Sequence, residues 1–175
     1  TKDGAPYTAP TTPLGLNGYQ WNKTIPKGLP GSVNAVLDDR IIGSSITSTQ
    51  VYLWGLSLKP GQEGTMLFNT TWTPPQPDLS ITMAAVSLED GVFVLTAKET
   101  RQFFGFSLDD GKLLWGPTKS KPMLDMFDIT AGSYDLYMHA SQIIAYGKLF
   151  SAGTGGVVAA FDVKTGALLW TYEAV

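Results

Sequence analysis

The stretch Val157-Val158-Ala159-Ala160-Phe161-Asp162-Val163-Lys164-Thr165-Gly166-Ala167-Leu168-Leu169-Trp170 decides the fold, because it reads as a β-hairpin with its turn included. Val157 to Val163 is rich in β-formers, and a second apolar run extends from Leu168 to Tyr172. Between them the Asp162 carboxylate can accept backbone N–H groups further along the turn, and Gly166 supplies a positive φ. The hairpin closes on Trp170, whose bulk calls for burial. The phrase recurs as Gly105-Phe106-Ser107-Leu108-Asp109-Asp110-Gly111-Lys112-Leu113-Leu114-Trp115, and more loosely between Leu53 and Phe68. Trp21, Phe68 and Trp115 succeed one another at 47 residues, and Trp115 to Trp170 is 55. Repeats of roughly 40–50 residues built from four short strands indicate propeller blades rather than a sandwich.

The chain therefore reads as all-β: a partial β-propeller of four-stranded antiparallel blades, about three blades plus one stray strand. Residues 1–18, with Pro6, Pro10 and Pro13, form an extended arm or linker. Residues 19–31 hold the last strand of a preceding blade, over 19–26, with Trp21 in the place of Trp115 and Trp170. The first complete blade spans 32–78, with strands at 32–37, 40–45, 50–57 and 64–72. The second spans 79–122, with strands at 82–88, 92–98, 102–108 and 112–115. The third spans 123–175, with strands at 136–140, 148–152, 157–161 and 167–172; the run 142–146 is an alternative first strand. Pro74-Pro75-Gln76-Pro77 reads as a connector between blades.

Composition narrows the function classes. Apolar residues make up 43% of the 175, enough for a sizeable core, and the 19 glycines and 11 prolines suit many strands joined by turns. Charge is sparse, with a net −3 and no basic patch, so nucleic acid is not an expected partner. No apolar run approaches the roughly 18 residues of a membrane helix. The absence of cysteine removes disulfides, thiolate metal sites and cysteine nucleophiles. Two sequons, Asn22-Lys23-Thr24 and Asn69-Thr70-Thr71, make Asn22 and Asn69 candidate glycosylation sites and point to a secreted, extracellular protein.

The phrases ending at Trp115 and Trp170 resemble the repeat of the pyrroloquinoline-quinone (PQQ) propeller superfamily, roughly Ala-x-Asp-x-x-Thr-Gly-x-x-x-Trp. The match is strongest in the last copy and loosest in the first. The resemblance implies that Trp115 and Trp170 dock between neighbouring blades, with Phe68 and Trp72 competing for that place in the first blade. It also implies two kinds of relative. Quinoprotein dehydrogenases bind PQQ and calcium on the propeller axis, against a disulfide of adjacent cysteines; other members carry no cofactor and use the ring as an interaction platform.

No catalytic, cofactor-binding or metal-binding residue is assigned. Trp54 could stack on a quinone but reads better as blade packing, and the chain lacks the disulfide. His139 is the lone histidine, too few for a transition-metal site. Asp125 and Asp128 could offer carboxylates to calcium but read as a turn pair. Asp38-Asp39 and Asp109-Asp110 fall in hairpin turns, where Asp caps backbone N–H groups. Gly153-Thr154-Gly155-Gly156 lacks the Lys-Ser/Thr ending of a phosphate loop and leads into a strand. Lys119-Ser120-Lys121 reads as a solvated loop.

Three blades fall short of the roughly four to eight that close a ring. The expected function is thus a segment of a secreted PQQ-like propeller, acting as a non-catalytic binding or structural platform. Its partners would be the remaining blades, on the same polypeptide or a second chain. The alternatives are part of a quinoprotein-like oxidoreductase, with PQQ and calcium held by the complete ring, and a scaffold that self-associates through open blade faces.

Overall fold

A computed structural model describes residues 23–119, 142–152 and 157–173. Twelve strands form three four-stranded antiparallel sheets, each a meander whose order in space is its order in sequence. The first sheet holds β1 (Ser32–Val36), β2 (Arg40–Ile46), β3 (Val51–Ser57) and β4 (Met66–Trp72). The second holds β5 (Ile81–Ser87), β6 (Val92–Ala97), β7 (Gln102–Ser107) and β8 (Leu113–Trp115). The third holds β9 (Gln142–Ala145), β10 (Lys148–Ser151), β11 (Val157–Asp162) and β12 (Leu168–Glu173). No helix occurs among the described residues. The protein is an open, partial β-propeller, and its sheets are the blades.

The core lies between blades, not inside one. Successive residues of a strand point to opposite faces, and β6 is covered on both. Phe93, Leu95 and Ala97 join Ile42, Val51, Leu53 and Phe68 in the core between the first two blades. Val92 and Val94 join Leu149, Ala159, Phe161 and Val163 in the core between the second and third. A strand buried on both sides has no polar face, so Val92-Phe93-Val94-Leu95 reads as an unbroken apolar run.

The β3–β4 pairing and its counterparts slip by one residue at the same place in every blade. The slips fall between Gly55 and Leu56, Gly105 and Phe106, and Ala160 and Phe161. A bulge repeated at one position adds twist where the outer strand must turn towards the next blade. The hairpin turns share a frame as well. The N–H groups of Gly64, Gly111 and Gly166, all at positive φ, donate to the carbonyls of Ser57, Ser107 and Asp162. In the third blade Asp162 Oδ1 accepts from the N–H of Lys164 at 3.0 Å, the N–H of Thr165 at 2.8 Å and the Thr165 hydroxyl at 2.9 Å. Those bonds, the Thr165 hydroxyl first, hold the Asp162 carboxyl below its ordinary pKa.

Two expectations change. Among the described residues the first strand of the third blade is β9, at 142–145, the run read as the alternative; the strand expected at 136–140 lies outside the described residues. Antiparallel pairing with Lys148–Ser151 through the two-residue Tyr146-Gly147 turn decides for β9. Residues 23–26 are not strand, against the expectation of one over 19–26; residues 19–22 lie outside the described part. The segment from 23 to 31 instead lies over the first blade. Lys23 approaches Gly64, and the Pro30 carbonyl accepts the Trp54 indole N–H at 2.8 Å.

Candidate interaction surface

The joints between blades show what the blade faces are built to hold. At the second joint, Trp115 pairs with Gly105 on its own sheet, and its indole covers that glycine. Its other side meets Gly166 of the third blade, where a Cβ would run into the ring. The indole Nε1–H donates to Val163 O at 2.8 Å, leaving Trp115 only 7% exposed. Both glycines give the flat indole room: a methyl at either would occupy ring space.

The first joint repeats the sandwich with a different ring. Phe68 pairs with Gly55, where a Cβ would lie 2.6 Å from the ring, and faces Gly111, where it would lie 2.5 Å away. Trp72 packs on the same neighbouring blade from the far end of β4, its ring centroid 4.9 Å from that of Phe104 and 5.2 Å from that of Phe106. Phe68 therefore holds the place between glycines, and Trp72 adds a second aromatic contact. A buried guanidinium crosses this joint. Arg40 Nη1 donates to Leu108 O at 2.5 Å and Asp109 Oδ1 at 2.9 Å, while Nε and Nη2 reach the two carboxylate oxygens of Asp39 at 2.7 and 3.0 Å. The hydrogen bond to Asp39, strengthened by Asp109, raises the Arg40 pKa above its already high value; the same bond holds the Asp39 carboxyl below the ordinary range.

The third blade presents the same face with nothing over it among the described residues. Every residue of β12 is exposed, including Leu168, Leu169 and Tyr172. Trp170 is 43% exposed and leans on Phe150 of its own sheet at a centroid distance of 6.0 Å. Its register partner is Ala160, where Phe68 and Trp115 have glycine, so a methyl group stands where the other rings lie.

Of the other residues singled out from sequence, Asn69 is exposed on β4, an edge strand, and Thr71 of its sequon is exposed too. Asn22, Trp21, Lys121, Asp125, Asp128, His139 and 153–156 lie outside the described residues. Trp54 is buried within the first blade over Gly43. Pro74–Pro77 connects β4 to β5 and, with Thr49 and Thr73, lines a cleft of about 240 Å³. Asp110 does cap its turn, accepting from the Lys112 N–H at 3.2 Å, and a hydrogen bond from the Lys112 side chain leads the effects that lower its pKa to about 2. Asp39 and Asp109 do more than turn the chain, since both face Arg40. Among the described residues no three His, Cys, Asp or Glu side chains gather as a metal site. Sequence reasoning missed Arg40, whose only local signal was a charge opening an otherwise apolar strand, Arg40-Ile41-Ile42.

No protein-family profile and no curated protein sequence matches the chain. Among solved structures it is similar to BamB from Moraxella catarrhalis, at 13% identity and TM-score 0.49 over 82% of this chain and 35% of that one. It is also similar to a computationally designed protein, Ika4, at 13% identity and TM-score 0.49, covering 87% of this chain and 78% of that one. A europium-containing methanol dehydrogenase matches at 14% identity and TM-score 0.44, over 81% and 25%. The chain thus spans about a third of BamB and a quarter of the dehydrogenase.

Proposed function

We propose that this chain is a segment of a larger, closed propeller that is secreted, glycosylated at Asn69, and serves as a non-catalytic binding or structural platform. The carrying observation is the contrast between two tryptophans at one repeat position. Trp115 lies 7% exposed beneath the following blade, whereas Trp170 is 43% exposed on a strand with no covered residue. Contiguous apolar surface of this kind marks a face built for a partner, and at the two joints described the partner is another blade. On this reading Trp115 and Trp170 are docking residues, and the missing occupant of the Trp170 face is a further blade.

The platform role is supported by where the polar groups go. Arg40, Asp39 and Asp109 are engaged at a joint rather than in an open site. The Asn69 sequon lies exposed on an edge strand, where a glycan has room and would block pairing of that edge with another chain.

Native and then denaturing mass spectrometry of the purified protein tests the reading. The expected species carries at least one further blade, on the same or a second polypeptide, and loses a glycan mass on glycosidase treatment. A folded, bare monomer of 18.8 kDa, or an assembly of this chain alone, would overturn it.

A further inference from the structure

We infer that Arg40 replaces the indole N–H that Phe68 lacks, so a Phe–Arg pair performs at the first joint what tryptophan performs alone at the second. Leu108 and Val163 occupy the same turn position, three residues before the buried glycines Gly111 and Gly166. Their N–H groups are equivalently engaged, donating to Gly91 O at 2.9 Å and Gly147 O at 3.1 Å. Their carbonyls point into the joints, where a buried acceptor needs a donor. Val163 O receives Trp115 Nε1. Phe68 fills the equivalent sandwich with a ring that has no donor, and Leu108 O receives Arg40 Nη1 instead.

The neighbouring positions keep to the same division. Arg40 opens β2; the residue opening β6 in the second blade is Val92, buried and apolar, where the indole already serves the carbonyl. A guanidinium at a joint also needs countercharge. Asp39 and Asp109 supply it, with Lys59 Nζ 3.5 Å from Asp39 at the rim. At the second joint the equivalents of Asp39 and Asp109 are Gly91 and Lys164, so both carboxylates are missing where the arginine is missing. The donor and its two counterions occur together, and at the joint whose ring lacks an N–H.

A double-mutant cycle read by urea unfolding tests the exchange. Arg40→Met keeps the aliphatic stem but removes the donor, and leaves Asp39 and Asp109 with access to water. It is expected to raise the unfolding constant by about 10- to 100-fold. Adding Phe68→Trp should recover roughly half or more of that loss on a logarithmic scale, with the new indole N–H slow to exchange. Additive penalties, or a freely exchanging indole, would overturn the inference. Should the larger ring prevent folding, Arg40→Lys decides: an ammonium can still donate to Leu108 O, so it should lie clearly closer to the parent than Arg40→Met. Equal losses in the lysine and methionine variants overturn the inference as well.

Discussion

A carboxylate that accepts both arms of a guanidinium loses its proton more readily than one in water, and Asp39 is such a group. Its folded pKa lies below the ordinary 3.8, as do those of Asp110, at about 2, and Asp162. In acid the unfolded chain therefore binds more protons than the folded one, so stability rises with pH there. The contribution is fully present above 3.8 and is lost as pH falls through the lowered folded values. Melting temperature should accordingly be level between about pH 5 and 7 and fall between about pH 4 and 2. Asp39→Asn should melt lower at pH 7 and show a shallower acid slope; an unchanged slope would mean Asp39 takes no part in it. The neutral counterpart of this interaction is Trp115. Trp115→Phe keeps the ring between its glycines but strands Val163 O, and should cost about 1–3 kcal/mol in chemical denaturation. A loss below about 0.3 kcal/mol would show that water reaches that carbonyl.

Hairpin turns are the element that carries the repeat, and their glycines do different work in different turns. Gly91 and Gly166 both sit near φ +70°, but a Cβ on Gly91 meets open space and one on Gly166 meets the Trp115 ring. Gly91→Ala should cost about 1 kcal/mol for the left-handed backbone alone. Gly166→Ala should cost that plus about 1–3 kcal/mol, because the second joint must open to admit a methyl. Equal losses in thermal unfolding would mean that the indole does not press on the turn. The third-blade turn was legible in sequence because Asp162-x-x-x-Gly166 fixes its own geometry through local hydrogen bonds, and the others because glycine follows a short polar run, as in Glu89-Asp90-Gly91 and Asp109-Asp110-Gly111. The strand limits of the first two blades were legible for a related reason, as β-branched and aromatic runs end at such turns. The joints were not. Arg40 and Leu108 stand 68 residues apart, and nothing near Arg40 announces which carbonyl it will reach. β9 was readable only as an alternative, since four residues with no polar alternation leave the choice between 136–140 and 142–145 to pairing with β10. The exchange of Gly55 and Gly105 for Ala160 is plain in the sequence, but its meaning appears only when the ring beside each is placed.

At the scale of the whole molecule, the stack has direction. The first and second blades each hand their outer-strand aromatic to the turn glycine of the next, so the first blade offers a receiving turn and the third offers a ring. Gly64 holds the receiving position in the first blade, and among the described residues only the Lys23 side chain would meet a Cβ placed there. Trp170 is the ring at the other end. A ring closes such a stack without leaving either face wet, which is why the open form is expected to need more blades. The two states differ in what Trp170 is worth. With its face uncovered, Trp170→Ala removes a half-wet side chain that touches Phe150, and the loss should stay near 1 kcal/mol. Beneath another blade the same change would empty a buried site and cost about 3–5 kcal/mol. Unfolding of Trp170→Ala in the protein purified with whatever blades accompany it, beside the same variant in this 175-residue chain by itself, separates them. A large loss in the first and a small one in the second places a blade on that face. Small losses in both would mean that no blade covers that face and that the stack does not close into a ring.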